Sequence, residues 1–205
     1  MADLSWERRC WNDGYRVVAG IDEAGRGALA GPIVAAAVVF PAHTARRGAL
    51  KSIDDSKVLS RKQRSAAAVT IFRSAMCWAV ASIDATTIDE IGIARANRLA
   101  MEQAIRQLSA DVEFALIDAL ICDLSMPQVG LIDGDALSLS IAAASILAKT
   151  ERDRMMMDVH HLHGAYGFDR HVGYGTAVHL HALRVHGPCD LHRRTFRGVL
   201  PDNGP

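Results

Sequence analysis

The 205-residue sequence has no net charge, no paired cysteines and no long apolar run. Its 23 Lys and Arg residues balance 23 Asp and Glu residues. Its four cysteines lie far apart without a C-x-x-C pair, so we expect reduced thiols in a cytoplasmic protein. The longest apolar stretch, residues 28–40, is too short to span a bilayer, and residues 1–13 carry charges where a signal peptide would be apolar. These absences favour an ordinary globular domain.

The neutral total conceals an uneven distribution of charge. Residues 1–83 contain 12 basic and 7 acidic residues, residues 84–135 contain 3 and 10, and residues 136–205 contain 8 and 6. Domains that bind nucleic acid usually carry a basic excess, so the total argues against such a partner. The distribution removes this objection, because the basic ends are free to meet phosphates while a cation offsets the acidic middle.

Hydrophobic patterning predicts an α/β fold with a mixed central sheet flanked by helices. Apolar runs predict strands at residues 17–21, 32–40, 76–83 and 112–117. Helices are predicted over residues 60–72, 87–108 and 138–159, with short helical pieces at best beyond residue 160. Basic residues open the first of these helices and oppose its dipole, which favours an external partner for them.

Acidic residues at strand and loop ends are the first candidates for chemistry: Asp22, Glu23, Asp118 and Asp135. Adjacent strand residues point to opposite faces, so Asp22 and Glu23 can serve one site only where their strand ends or bulges. Clustered carboxylates near apolar strands need a neutralising cation, and oxygen ligands prefer Mg²⁺ or Mn²⁺. One or two such ions suit phosphodiester hydrolysis. Simple solvation of acids at strand ends is the alternative.

A glycine-rich segment follows the first two acids. Gly25 and Gly27 allow the backbone to approach a ligand closely, and Arg26 between them can bind phosphate. The segment precedes a predicted strand, and its G-x-G-x-x-x-G spacing is also wrong for a dinucleotide-binding motif. A tight hairpin between two strands is the structural alternative, and it is compatible with function.

Five blocks of the sequence, in the same order, resemble the ribonuclease HII family, the type 2 ribonucleases H. They are DEAGRG at 22–27, DDSK at 54–57, SIAAASILAK at 140–149 with RD at 152–153, YGF at 166–168 with His171 and GYGT at 173–176, and HRRTF at 192–196. The resemblance covers nearly the whole chain. It implies a ribonuclease H-like fold with a C-terminal helical extension, which we place at 161–205, packed on a catalytic domain at 1–160 as a single structural unit.

The resemblance also implies an activity. Members of this family are endonucleases that hydrolyse the RNA strand of RNA–DNA hybrids and cut 5′ of single ribonucleotides in duplex DNA. The expected products carry a 3′-hydroxyl and a 5′-phosphate, the expected cofactor is Mn²⁺ or Mg²⁺, and the expected role is ribonucleotide removal in DNA replication and repair. We expect a cytoplasmic monomer without a membrane partner. The alternatives are a nuclease or resolvase of the wider ribonuclease H superfamily, and a non-catalytic or altered-specificity protein that binds hybrids.

The resemblance assigns catalytic and metal-binding roles to the four acids named above. It assigns substrate contacts to Gly25, Arg26, Gly27, Lys57, Ser145, Lys149 and Tyr174. Tyr174 matches the aromatic residue that stacks on the sugar at the deoxyribonucleotide side of the junction. Lys57 and Lys149 have two alternatives, which are contact with phosphate and pairing with the acids. We expect Asp153 to hold a basic side chain in place rather than to act as a fifth metal ligand.

Three positions depart from the family pattern. Ala119 follows Asp118 where bacterial members usually have glycine, and Asp133 and Val172 each stand where lysine is usual. We expect these changes to affect metal preference and substrate affinity and to leave the fold unchanged. Arg170 and the nearby histidines should partly restore the attraction for phosphate.

The C-terminal part of the chain is rich in histidine. His160, His161, His163, His179 and His181 have no neighbouring cysteine and no regular ligand spacing. We therefore predict surface histidines on a duplex-facing tail rather than a zinc site.

Overall fold

A computed structural model describes residues 2–54 and 56–200. The strands are β1 Val18–Ala24, β2 Ile33–Val39, β3 Cys77–Ile83, β4 Phe114–Asp118 and β5 Gln128–Leu131. The helices are α1 Ser5–Asn12, α2 Arg61–Ser74, α3 Ala85–Ile91, α4 Ile93–Arg106, α5 Gly134–Leu137, α6 Leu139–His160, α7 Phe168–His171 and α8 Ala177–His186. The described residues do not include Asp55 of the DDSK block. They also leave out residue 1 of the predicted catalytic domain and residues 201–205 of the predicted C-terminal extension.

The strands form one mixed sheet in the order β3-β2-β1-β4-β5. The pairs β1–β2 and β2–β3 are antiparallel, whereas β1–β4 and β4–β5 are parallel. Every residue of β2 is buried, as expected for a strand covered on both faces. The predicted mixed sheet with flanking helices is confirmed, and helices are present beyond residue 160.

The two faces of the sheet are covered by different helices. α6 packs so closely on β1 that a Cβ at Gly20 would lie 2.2 Å from the backbone carbonyl carbon of Ser140. This contact needs glycine on the strand and small residues such as Ala142 and Ala144, both fully buried, on the helix. α4 packs on the opposite face. Within the described part of the chain, no helix combines the length and apolarity needed to cross a bilayer.

Some details of the predicted secondary structure are wrong. The predicted helix over 87–108 is two helices, α3 and α4, because Gly92 between them adopts a φ of 79° and ends the first. Strand β5 was not predicted, since it is four residues long and contains Gly130. Helix α1 was not predicted either, and the tail contains the ten-residue helix α8, which Thr176 caps.

Candidate active site

Three of the predicted acids meet at the carboxyl ends of two parallel strands. The pairing between β1 and β4 stops one residue before Asp22 and Asp118, so the sheet opens at these positions. Both acids border a cleft of about 360 Å³, together with Glu23. Parallel strands end at the same edge of a sheet, and the fold thereby gathers acids that are nearly 100 residues apart in sequence.

Asp22 and Glu23 face opposite sides of the sheet and still border the same cleft. β1 remains paired with β2 in unbroken register through both residues, so no bulge is present. Asp22 faces α6, where the Ser145 hydroxyl is near enough to lower its pKa, and Glu23 faces α4, where Asn97 is its neighbour. The end of the parallel pairing is therefore what allows both acids to reach one site.

Burial and mutual repulsion raise the pKa of all three carboxyls. For Asp22, burial is the largest cause, followed by the charges of Glu23 and Asp118. For Glu23, burial again comes first, followed by Asp118. Burial also raises the pKa of Asp118, although the Gly134 N–H, 2.7 Å from its Oδ1, lowers it. The cleft thus contains negative charge that a bound cation would offset.

Asp135 lies beside these acids, on the short helix α5. Its Oδ2 accepts a hydrogen bond from Lys57 Nζ at 2.8 Å, and only 4% of its side chain is exposed. Its charge contributes to the raised pKa of Asp118. The structure therefore brings Asp135 close to the cluster and pairs Lys57 with an acid.

The donor chemistry of the site fits a hard divalent cation. No group of three or more His, Cys, Asp or Glu side chains among residues 2–54 and 56–200 is already arranged to hold a metal ion. Carboxylate oxygens and excess negative charge are nevertheless what Mg²⁺ and Mn²⁺ select. Asn97 gives a second indication: it is buried and lowers the pKa of Glu23, yet neither of its side-chain polar atoms makes a well-formed hydrogen bond. An ordered ligand or water at Glu23 would satisfy this amide.

The loop at 25–27 and Tyr174 line the same cleft as the acids. Gly25 has a φ of 91°, and a Cβ at this position would lie 1.9 Å from Arg152 Nε, so glycine is required here. The half-buried ring of Tyr174 has two cations near it, with Lys149 Nζ 5.6 Å and Arg152 Cζ 5.4 Å from the ring centroid. The loop and the ring therefore lie close to the same buried guanidinium, that of Arg152.

Asp153 binds two of the basic side chains near the cleft. Its Oδ1 accepts a hydrogen bond from Lys149 Nζ at 2.6 Å, and its Oδ2 accepts one from Arg64 Nη2 at 3.1 Å. Arg64 is one of the basic residues at the start of α2 for which the sequence favoured an external partner, and this partner is internal. Ser145 Oγ also lies 2.9 Å from Ser56 Oγ, so Ser145 is tied to the segment that carries Lys57.

The prediction of surface histidines is wrong for His179, which is fully buried. Its Nε2 lies 3.0 Å from Nε2 of His192, and its Nδ1 lies 3.0 Å from the carbonyl oxygen of Tyr174. Because the Cys189 N–H donates to Nδ1 of His192, His192 donates through Nε2 and His179 donates to Tyr174. Burial, followed by the charge of the facing imidazole, lowers the pKa of His192 to about 4. The neutral pair holds the backbone of Tyr174.

Sequence reasoning assigned no role to Asn97, Arg152 or the buried histidine pair. Asn97 is a polar residue on the apolar face of an amphipathic helix, and this was the available signal. Arg152 lies in a matched block, yet one sequence does not distinguish this buried arginine from the exposed Arg154 two residues later.

Comparison with known proteins identifies relatives over most of the chain. The family profile for ribonuclease HII matches residues 19–199. Ribonuclease HII of Chloroflexus aggregans is 50% identical over 200 residues, which cover 97% of this chain and 94% of that protein.

Two solved structures share the fold. Ribonuclease H2 from Pyrococcus horikoshii OT3 gives a TM-score of 0.77 at 24% identity, covering 89% of this chain and 95% of the other. Bst-RNase HIII in complex with Mn²⁺ gives a TM-score of 0.67 at 22% identity, covering 91% and 68%. The profile match and the 50% identity establish more than a shared fold: this chain belongs to the ribonuclease HII family, whose members are endoribonuclease hydrolases of the ribonuclease H class.

Proposed function

We propose that this protein hydrolyses the RNA strand of RNA–DNA hybrids and cuts duplex DNA 5′ of a single embedded ribonucleotide. The products are a 3′-hydroxyl and a 5′-phosphate. The observation that carries the proposal is the composition of one cleft, which is lined by Asp22, Glu23 and Asp118 and also by the loop at 25–27 and Tyr174. Acids suited to phosphodiester hydrolysis thus share a cleft with groups suited to testing a sugar.

The residues that would hold the metal are Asp22, Glu23 and Asp118, with Asp135 as the fourth acid. A bound Mn²⁺ or Mg²⁺, as one ion or two, lowers the pKa of a water molecule and offsets charge on the leaving oxygen. The raised pKa values of the three carboxyls support this assignment, because the charges that repel one another in the free protein attract a cation.

Backbone donors favour the ionised form of two of these acids and offset part of the effect of burial. The Glu23 N–H donates to Asp22 Oδ1 at 2.7 Å, and the Gly134 N–H donates to Asp118 Oδ1 at the same distance. Hydrogen bonds to a carboxylate favour its charged form and fix its orientation. The backbone therefore limits the rotation of both acids before any substrate arrives.

The loop at 25–27 and Tyr174 select the substrate. The 2′-hydroxyl is the group that distinguishes RNA from DNA, and the backbone of the loop at 25–27 offers donors and acceptors that can bind it. Tyr174 stacks on the neighbouring deoxyribose. The basic side chains of Arg26, Lys57 and Lys149 border the same cleft and attract the phosphates on either side.

Cleavage of a labelled duplex that contains one ribonucleotide tests the proposal, with Mn²⁺ and Mg²⁺ supplied separately. We expect one cut, 5′ of the ribonucleotide. Asp22→Asn should abolish the cut and still bind the duplex, whereas the control Asp111→Asn, at an exposed position, should keep full activity. A folded Asp22→Asn protein with full activity would contradict the mechanism. Cleavage at other positions would favour another nuclease of the superfamily, and no cleavage with either metal would favour a non-catalytic hybrid-binding protein.

Three further expectations rest on the family resemblance and stay part of the proposal. They are a monomeric state, cytoplasmic localisation, and a role in ribonucleotide removal during DNA replication and repair. Sedimentation of the purified chain at micromolar concentration tests the first, and a dimer would contradict it.

A further inference from the structure

Arg152 is a fully buried arginine that bonds two separate segments of the chain. Its Nε donates to the carbonyl oxygen of Pro32 at 2.9 Å, and its Nη2 donates to that of Ala30 at 3.0 Å. Its Nη1 donates to the carbonyl oxygen of Val172 at 2.9 Å. The first two carbonyls lie between β1 and β2, immediately after the glycine-rich loop, and the third lies two residues before Tyr174. One guanidinium thus links the backbone that follows the glycine-rich loop to the backbone that leads into Tyr174.

The same guanidinium lies close to the groups that would touch the substrate. Gly25 approaches it so closely that any side chain at this position would overlap Nε, at 1.9 Å. Its Cζ lies 5.4 Å from the centroid of the Tyr174 ring. Arg152 therefore packs against both the loop and the ring.

The two segments also bond each other, and Arg152 holds them in register. The N–H groups of Leu29 and Ala30 donate to the carbonyl oxygen of Gly173 at 2.8 and 3.3 Å. A Cβ at Gly173 would lie 2.3 Å from the Ala30 carbonyl oxygen, so the contact is tight. A planar, multi-donor guanidinium can serve three carbonyls at once, whereas a lysine ammonium on a flexible stem cannot reproduce this geometry.

We propose that Arg152 is a positioning residue that sets the spacing between the loop at 25–27 and Tyr174, and so the selectivity for a single ribonucleotide at an RNA–DNA junction. This inference rests on the proposed function. A single ribonucleotide offers one 2′-hydroxyl next to one deoxyribose, so the loop at 25–27 and Tyr174 must be in place together. A continuous hybrid offers several 2′-hydroxyls and depends less on that spacing.

The test compares Arg152→Met and Arg152→Lys with Arg154→Met, a control on the same helix whose exposed arginine bonds Glu151 and Asp158. For Arg152→Met we expect kcat/KM on the single-ribonucleotide duplex to fall about 100-fold, the scale of a misplacement of about 1 Å. On a continuous hybrid we expect a smaller fall of about 10-fold or less. Arg152→Lys should resemble Arg152→Met, and binding of all-DNA duplex and the Arg154→Met control should be unchanged. Equal losses of kcat/KM on both substrates would overturn the proposal. Full activity in Arg152→Lys would also overturn it, since lysine keeps the charge and loses the geometry.

Hydrogen exchange gives a second readout that does not depend on activity. In Arg152→Met we expect the amides of Leu29 and Ala30 to exchange faster while the amides that pair β1 with β2 stay protected. Loss of protection throughout the sheet would mean that Arg152 stabilises the whole fold, and it would overturn the proposal. Unchanged exchange at the amides of Leu29 and Ala30 would overturn it too. If the wild-type protein fails to cut at a single ribonucleotide, the proposed function fails, and the exchange experiment still decides whether Arg152 joins the two segments.

Discussion

Replacing Asp22 with asparagine should stabilise the metal-free protein while abolishing hydrolysis. Asp22 is 5% exposed and lies beside Glu23 and Asp118, so its charge is buried next to two like charges. Asparagine has nearly the same shape and removes the charge. Its side-chain oxygen can still accept from the Glu23 N–H. The substitution therefore removes repulsion and keeps this hydrogen bond.

The expected gain follows from what a buried charge costs. An uncompensated buried ion is unfavourable by several kcal/mol, and the hydrogen bond from the Glu23 N–H, with the nearby Ser145 hydroxyl, offsets part of this. We expect the free energy of unfolding of Asp22→Asn to exceed that of the wild type by about 1–3 kcal/mol without metal. For a chain of this length, that corresponds to a rise in Tm of about 3–9 °C.

The gain should depend on pH in a direction that the raised pKa of Asp22 fixes. The native state holds a proton on this group to higher pH than the unfolded state does, so wild-type stability falls as pH rises above the ordinary value of 3.8. The difference between Asp22→Asn and wild type should be small near pH 4 and grow toward pH 8. Addition of Mn²⁺ or Mg²⁺ should raise the Tm of the wild type more than that of Asp22→Asn.

Urea unfolding at several pH values, with a chelator or with metal, measures these differences. Asp111→Asn is the control, because this exposed acid lies away from the cleft and should give no pH-dependent gain. An Asp22→Asn protein that is less stable than wild type without metal, or that gains as much from metal as the wild type does, would refute the reasoning.

Three further predictions concern the surroundings of the site. Ala119 has a φ of 53°, so Ala119→Gly should raise the free energy of unfolding by up to about 1 kcal/mol in urea titrations, whereas Ala66→Gly on α2 should lower it by about 1 kcal/mol. The pKa of His192 is lowered to about 4, so the fold prefers the neutral imidazole. The stability that this preference supports is complete above about pH 6.5 and is lost as pH falls toward 4. The total loss should be at most about 3 kcal/mol. His192→Gln should remove this acid sensitivity and the exposed His181→Gln should not, as urea titrations from pH 4 to 7 will show. Chelation of divalent metal should weaken binding of an uncleaved hybrid, more strongly at high salt, and fluorescence anisotropy at two salt concentrations tests this.

Four of the five strands could be predicted from the sequence, because they are apolar runs, and Asp22 and Asp118 each follow one. The mutual approach of Asp22 and Asp118 could be expected once parallel neighbours were assumed, since parallel strands end at one edge. The break at Gly92 was missed, because a helical pattern of apolar residues continues through it. The burial of Arg152 and His179 could not be predicted from the residues next to them in sequence. Arg152 donates to the carbonyl oxygen of Pro32, which is 120 residues away. His179 bonds a backbone carbonyl, that of Tyr174, and a carbonyl leaves no signal in the sequence.

The three departures from the family pattern act on the backbone as well as on charge. Of the four non-glycine residues with positive φ in the described part of the chain, three are Ala119, Asp133 and Val172, and each lies within two residues of a proposed site residue. A left-handed conformation costs an L-residue about 1–2 kcal/mol, less for aspartate and most for a β-branched residue. Asp133 therefore suits its turn, whereas Val172, at φ 44°, is strained and is held by burial and by the bond from Arg152 to its carbonyl. Because that bond comes from Arg152, the same guanidinium that sets the spacing between the loop at 25–27 and Tyr174 also stabilises the strained turn leading into Tyr174.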